Sequence, residues 1–354
     1  MSVLKDRLLA RIAREGPIGV ADYMLECLLD PTHGYYATRD PLGAAGDFTT
    51  APEISQMFGE MLGLWLAQVW MDQGAPDPFV LAELGPGRGT LMADMLRATR
   101  SVPGFHAALQ VSLVEASPVL RRAQAEVLKG FTPAFHASVA DLPDGPLFLV
   151  ANEFFDALPI RQFQRGPAGW HERQIGAADE RLIWGLGPEA RIGLLEDRFA
   201  DTPLGGIIET NAPAMAIASE IGQRIAAHGG AALIVDYGGW YSHGDTFQAM
   251  VRHAHADPLD HPGAADLTAH VAFGPLARAA TPAVAVPLTP QGVFLERLGI
   301  TARAQALAKG ISGPALDNHV AAHRRLTHPQ EMGTLFHVLA LMPPGRPMPP
   351  GFED

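Results

Sequence analysis

The residues FVLAELGPGRGT, positions 79 to 90, decide how the rest of the chain is read. Phe79, Val80, Leu81 and Ala82 form a short apolar run after the turn-forming text Gly74-Ala75-Pro76-Asp77-Pro78, and the run breaks at Glu83 into a loop with glycines at 85, 87 and 89. This pattern predicts a buried strand delivering a glycine loop, with a helix from Leu91 to Thr99 behind it. Gly85, Gly87 and Gly89 can take backbone angles closed to other residues, and without a Cβ they let a ligand lie against the main chain. A strand, loop and helix of this kind make a nucleotide site.

Spacing and charge narrow the nucleotide. A dinucleotide fold asks for G-x-G-x-x-G, with the third glycine packing helix on strand and the helix N-terminus facing a pyrophosphate. Gly85 and Gly87 fit, but the third place falls on Thr90, and Glu83 stands two positions before the first glycine, where it would repel a diphosphate and suit a cation. The E-x-G-x-G-x-G pattern resembles motif I of S-adenosylmethionine methyltransferases, whose cofactor has an ammonium, a sulfonium and no phosphate. The next strand reads from Leu109 to Val114, and Glu115 at its end is placed to accept both ribose hydroxyls. Asp141, on the loop before the fourth strand, is the candidate for an adenine amino group, with an exposed turn acid as the competing reading. The alternative for the whole constellation is an ordinary strand-to-helix turn with solvated acids.

At 354 residues the chain can bury a sizeable core. A hydrophobic content of 47% with 18% charged residues is that of a soluble globular enzyme. The net charge of −12 argues against nucleic acid or an anionic membrane as partner, because no basic surplus exists to displace counterions from phosphates. Cys27 is the only cysteine, which rules out a disulfide within the chain and suits a cytoplasmic, reducing compartment. No apolar run approaches the roughly 18 to 20 residues of a membrane span. The opening text MSVLKDRLLARIAREG lacks a secretory apolar core, and Asp6 and Glu15 argue against a transit peptide.

Periodicity predicts an amphipathic helix over Ser2–Glu15, a second from Val20 to Leu29, a long polar and aromatic loop ending near Glu53 that reads as an ordered lid, and a helix from Ile54 to about Asp72. From Phe79 an α/β alternation follows: strands 79–83, 109–115, 134–136, 147–152 and 231–237, with helices 90–99, 118–129 and 214–228 between them. Continuous apolar strands imply a parallel sheet covered on both faces. The text from about Arg161 to Pro203 reads as an inserted hairpin and 238–262 as a long polar loop. Helices at 266–279, 291–298 and twice within 302–326, with strands 283–286 and 335–342, complete the order. The expected domains are a helical cap and lid loop over 1–78, a core over 79–342 with insertions at about 161–203 and 238–330, and an irregular, proline-rich tail over 343–354.

In an open parallel sheet, ligands gather beyond the carboxyl ends of the strands. Ala151-Asn152-Glu153-Phe154-Phe155-Asp156 ends there, and Glu153 and Asp156, directly after a buried strand and between phenylalanines, are the leading catalytic candidates. Carboxylates capping a helix N-terminus are the competing reading. His253, His255, Asp257 and His261 suggest a metal site, but Pro258 stands where a metallo-hydrolase would want a histidine, and a solvated loop is the preferred reading.

The blocks GDFTTAPEISQMFGEMLG (46–63), ELGPGRGTLMADMLR (83–97), ANEFFDALPIRQF (151–163), VDYG (235–238), DLTAHV (266–271) and TPQGVFLERLGI (289–300) together resemble the MidA-like protein arginine methyltransferases. The likeness runs from about Gly16 to Met342. It implies a class I S-adenosylmethionine methyltransferase fold, mostly parallel with helices on both faces, with N-terminal and inserted elements capping the site. It also implies symmetric dimethylation of an arginine on a core subunit of the NADH:quinone oxidoreductase peripheral arm, in support of complex I assembly. Eukaryotic members are mitochondrial, whereas this chain is expected to be cytoplasmic. In that setting Glu153 would grip the guanidinium, with Asp156 second and Asn152 orienting, while Tyr35, Asp47 and Phe48 belong to the lid. One departure stands out: Ala272 occupies the place where the pattern D-L-T-A-H-V-D-F has a second aspartate.

Overall fold

A computed structural model describes residues 3–38, 49–241 and 244–353. The chain divides into two compact units, one built from residues 1–48, 156–214 and 241–270, the other from 49–155, 215–240 and 271–354. Each has its own apolar core.

In the first unit, helices α1 (Val3–Glu15) and α2 (Val20–Leu29) bury Leu4, Leu8 and Ile12 from one and Tyr23, Met24, Cys27 and Leu28 from the other. The spacing of three or four residues puts each set on one helical face. Their core also takes Ile175 and Leu182 from an antiparallel sheet in the order Ile18–Gly19, Trp170–Ala178, Arg161–Arg165, Ile207–Thr210, with Arg181–Leu186 paired to Trp170–Ala178. The inserted hairpin is therefore part of a larger sheet that extends past Pro203. A second, three-stranded sheet joins Ala254–Ala256, Gln248–Val251 and Asp266–Thr268. This corrects the expected helix at 266–279: Asp266–Thr268 is a strand whose Leu267 pairs with Ala249, and the helix occupies only Phe273–Ala279. The Cys27 thiol is buried, and burial pushes its pKa up to about 12, so it is an inert core group.

The second unit is the α/β body. Strands β1 (Phe79–Leu84), β2 (Leu109–Val114), β3 (Ala134–His136), β4 (Leu147–Asn152), β5 (Gly230–Gly239), β6 (Val284–Ala285) and β7 (Phe336–Met342) lie in the order 6-7-5-4-1-2-3. β7 is antiparallel to β5 and β6, while β3, β2, β1, β4 and β5 are mutually parallel. Every residue of β1 and of β4 is buried, as continuous apolar text in a parallel sheet requires. Below β1, Phe79 meets Trp70, Phe105 and Phe148 at ring separations of 5.7, 4.9 and 5.3 Å.

Helix α3 (Gln56–Asp72) belongs to this body and not to an N-terminal cap. It buries residues on nearly all sides, and Gly59 and Gly63 let it press on α4 (Thr90–Ala98): a Cβ on Gly59 would come within 2.6 Å of Asp94 Cβ, and one on Gly63 within 2.7 Å of Met95 Cα. The helices after Phe273 also lie in this unit, so the second insertion ends near His270. The tail is irregular but packed, with Phe352 buried against Phe294 at 5.0 Å and Trp65 Nε1 donating to Pro350 O at 2.8 Å.

Glu60, on α3, is buried and accepts from Arg97 Nη1 (2.7 Å) and from Arg303 Nε and Nη2 (2.7 and 2.9 Å). Burial works to raise its pKa, but the two guanidinium groups outweigh it and hold the carboxyl below its usual 4.5. A depressed folded pKa adds stability above the unfolded pKa and loses it as pH falls through the folded one. Glu60→Gln should therefore lower the urea midpoint at pH 7, by about 1–3 kcal/mol of stability, and the gap from wild type should narrow below about pH 4.5; a gap unchanged by acid would refute this reading.

Candidate methyl-donor site

The carboxyl ends of β1, β2 and β4 converge because the register sets Leu84 beside both Val114 and Ala151. At the end of β1, Glu83 is 3% exposed. Its carboxyl accepts from the Met92 backbone, yet its Oε2 is buried without a hydrogen-bond partner. Burial, with Glu115 adding repulsion, pushes its pKa up to about 8. A buried acid with an unfilled acceptor is the place a cationic ligand end would satisfy.

The loop that follows bends through left-handed backbone at Gly85, Gly87 and Gly89 (φ +59°, +54° and +85°). Gly85 N–H donates to Val114 O at 3.0 Å, and a Cβ on Gly85 would lie 2.9 Å from the Phe154 ring, so that position is closed to any side chain. Gly89 caps α4, and Thr90, in the place a dinucleotide fold gives to glycine, donates its hydroxyl to Glu53 Oε1 at 2.7 Å. Arg88 Nη1 lies 3.5 Å from Glu53 Oε2.

Glu115 stands just past β2, 8% exposed. Its Oε1 accepts from Ser117 N–H (2.8 Å) and its Oε2 from Gln124 Nε2 (3.0 Å), while burial raises its pKa against these bonds. Asp141 is exposed, and its Oδ2 accepts from Ser138 N–H and Oγ, both at 2.9 Å, which hold its pKa below the usual range. The structure thus uses the carboxylate of Asp141 as a local cap.

Past β4, Glu153 is one of the few non-glycine residues with positive φ, +50°. Its N–H donates to Val235 O at 2.9 Å, and its Oε1 accepts from Ala51 N–H and Asn152 Nδ2, each at 3.1 Å. Left-handed backbone on a non-glycine residue costs of order 1 kcal/mol or more and persists where neighbours over-determine it. Asn152 is 8% exposed, with Oδ1 buried and unpartnered. Asp236, fully buried in β5, accepts from Phe155 N–H at 3.0 Å and so holds the turn after Glu153.

Asp156 belongs to the first unit, where its carbonyl accepts from Ala269 N–H at 2.9 Å. There the Tyr36 hydroxyl donates to Asp266 at 2.7 Å, and burial, then the Asp266 and Asp156 charges, push its pKa well above normal. Tyr35 is fully buried in that unit's core, edge-on to Tyr36, so it is a packing residue in the described structure. Asp47 and Phe48 lie outside the described residues. Ala272 caps the Phe273–Ala279 helix without a side-chain acceptor and pairs with Gly239.

The family model for S-adenosyl-L-methionine-dependent methyltransferases matches residues 61–290, most of the chain and all three strand ends described above. The chain belongs to that family. The methyltransferase is 38% identical over 369 residues to the protein arginine methyltransferase NDUFAF7, mitochondrial, of Rattus norvegicus, covering 95% of this chain and 83% of the relative. It is likewise 38% identical to the human protein of that name, over 95% and 82% of the two chains. Among solved structures it is similar to a COG1565 superfamily member and likely methyl transferase from Burkholderia thailandensis bound to S-adenosyl-homocysteine, with TM-score 0.83, 29% identity, and 99% and 92% of the two chains covered. S-adenosylmethionine is the cofactor, and the fold is that of the class I enzymes. These relatives also overturn the cytoplasmic expectation, since they are named mitochondrial proteins. A lone thiol separates oxidising from reducing compartments but does not choose between two reducing ones.

Two residues of the site went unnoticed in the sequence. Glu53 lies in the conspicuous TAPE block, and Gln124 falls on the buried stripe between Leu120 and Leu128, where a polar side chain is itself a signal.

Two outcomes are expected. With a pKa near 8, Glu83 is mostly protonated at neutral pH, and a cationic ligand end favours its ionised form, so binding expels a proton. S-adenosylhomocysteine affinity measured by calorimetry should rise between pH 6 and 8, by up to about tenfold per unit, and lose this dependence in Glu83→Gln; matching profiles would reject the role. Gly85→Val, a β-branched residue forced to positive φ against Phe154, should abolish binding, and retained binding would count against the cradle.

Proposed function

We propose that the protein transfers a methyl group from S-adenosylmethionine to the guanidinium of a protein arginine, with Glu153 as the acid that grips the acceptor. The observation that carries this is Glu153 itself: a carboxylate in left-handed backbone, one residue beyond a buried strand, pinned at Oε1 by Ala51 and Asn152 in the same unit as the glycine loop. The names of the relatives, protein arginine methyltransferases, support the acceptor.

A guanidinium stays protonated at physiological pH and spreads its charge over three nitrogens, so none has a lone pair ready to attack. A carboxylate held in one orientation accepts two of its N–H groups and draws the positive charge toward the gripped side, leaving electron density on the nitrogen that faces the donor. The bound cofactor supplies a methyl on a sulfonium, and the new N–C bond forms as the S–C bond breaks. The nitrogen then sheds a proton, which restores the guanidinium charge to +1, and in this reading Glu153 takes it. Asn152 orients that carboxylate, and the Phe154 ring packs against Gly85. The further reading is symmetric dimethylation of an arginine on a core subunit of the NADH:quinone oxidoreductase peripheral arm.

Mass spectrometry of that enzyme from cells with and without the gene tests the acceptor: loss of a dimethyl-arginine is expected, and an unchanged arginine pattern excludes this target. Glu153→Gln should keep S-adenosylhomocysteine affinity within about twofold while methyl transfer falls roughly 10²-fold or more. Undiminished turnover removes Glu153 from the chemistry.

A further inference from the structure

We propose that Gln124 is the positioning residue that sets the ribose-binding carboxylate of Glu115, an inference that rests on reading Glu115 as the ribose acid. Gln124 is fully buried on the helix α5 (Pro118–Val127). Its amide nitrogen donates twice: to Gly87 O at 2.6 Å and to Glu115 Oε2 at 3.0 Å. Both amide protons are thus spent on the two elements that would flank the cofactor's sugar, the glycine loop after β1 and the acid after β2. The backbone of α5 also approaches the loop, since a Cβ on Gly89 would lie 3.4 Å from Gln124 Cα.

The consequence for Glu115 is orientational. The terminal torsion of a glutamate is broad and roughly two-fold, so a carboxylate held at one oxygen can still swing. Here Ser117 N–H holds Oε1 and Gln124 holds Oε2, and Arg121 Nε fixes the Glu115 carbonyl at 2.7 Å. With both oxygens pinned, the remaining lone pairs point one way before any ligand arrives, which suits two adjacent hydroxyls better than a single donor. The same amide bonds the Gly87 carbonyl, so one side chain ties both the loop and the acid to α5.

A residue that only packs would, on removal, weaken every ligand of the pocket alike. A residue that aims Glu115 governs the part of the affinity that comes from the ribose hydroxyls. The test is calorimetry with S-adenosylhomocysteine and its 2′-deoxy analogue on wild type, Gln124→Leu and Gln124→Met, the last keeping the length of the side chain if leucine disturbs folding. Wild type should prefer the ribose form by about tenfold or more, the worth of a hydrogen bond to a charged group. The preference should fall to about twofold or less in both variants. An undiminished preference, whether overall binding is weakened or not, overturns the positioning role of Gln124. A wild type that binds both analogues equally overturns instead the assignment of the ribose to Glu115, and a wild type that binds neither overturns the site.

Discussion

Glu83 sits where a carboxylate has little reason to be: at the end of a strand buried on both faces, with one oxygen held by the Met92 backbone and the other facing no donor. Taking such a group out of water is costly, and a fold tolerates it by keeping the proton on or by reserving the place for a cation. Its raised pKa makes the ligand-free protein lose stability as pH climbs from about 4.5 toward 8, because there the unfolded chain ionises more readily than the folded one. The glycine loop follows it directly, the Met92 backbone of α4 bonds it, and Glu115 is near enough to repel it. An S-adenosylmethionine enzyme has use for this, since its cofactor carries an ammonium and a sulfonium.

The loop itself is held from two directions. Thr90 and Arg88 tie it to Glu53, in the helical turn Ala51–Ile54, and Gln124 ties it to the helix after β2. The same turn supplies Ala51 N–H to Glu153. The glycine loop and Glu153 therefore share one brace, so a displacement at Ala51–Glu53 is felt at both. Such coupling is what methyl transfer asks of its scaffold: the chemistry is an in-line displacement whose rate is set chiefly by how closely donor carbon and acceptor nitrogen are held.

Much of this was visible beforehand. Strands β1 and β4 announce themselves because parallel strands covered on both faces must be apolar throughout, and helices α1 and α2 because their apolar spacing is regular. Glu83, Glu115 and Glu153 stood out as acids directly after such runs. What escaped notice has a common cause: Asp266–Thr268 becomes a strand only because Gln248–Val251 lies beside it, and local helical spacing around Phe273 masked that. Tyr35 read as a lid aromatic, yet its ring is enclosed by the core of helices α1 and α2, a burial that no neighbour in sequence reports.

The chain on its own determined the order of elements, the glycine loop and the sign of the charge around it, because apolar periodicity and the absence of a Cβ act locally. Tertiary structure decided which side chains meet: that Gln124 would bridge Gly87 and Glu115, that α3 would belong to the α/β body, and that the proline-rich tail would seat Phe352 on Phe294. Those contacts mostly join residues tens to hundreds of positions apart. Their partners are set by shape and by competing hydrogen bonds, and neither is written in the spacing of any one segment.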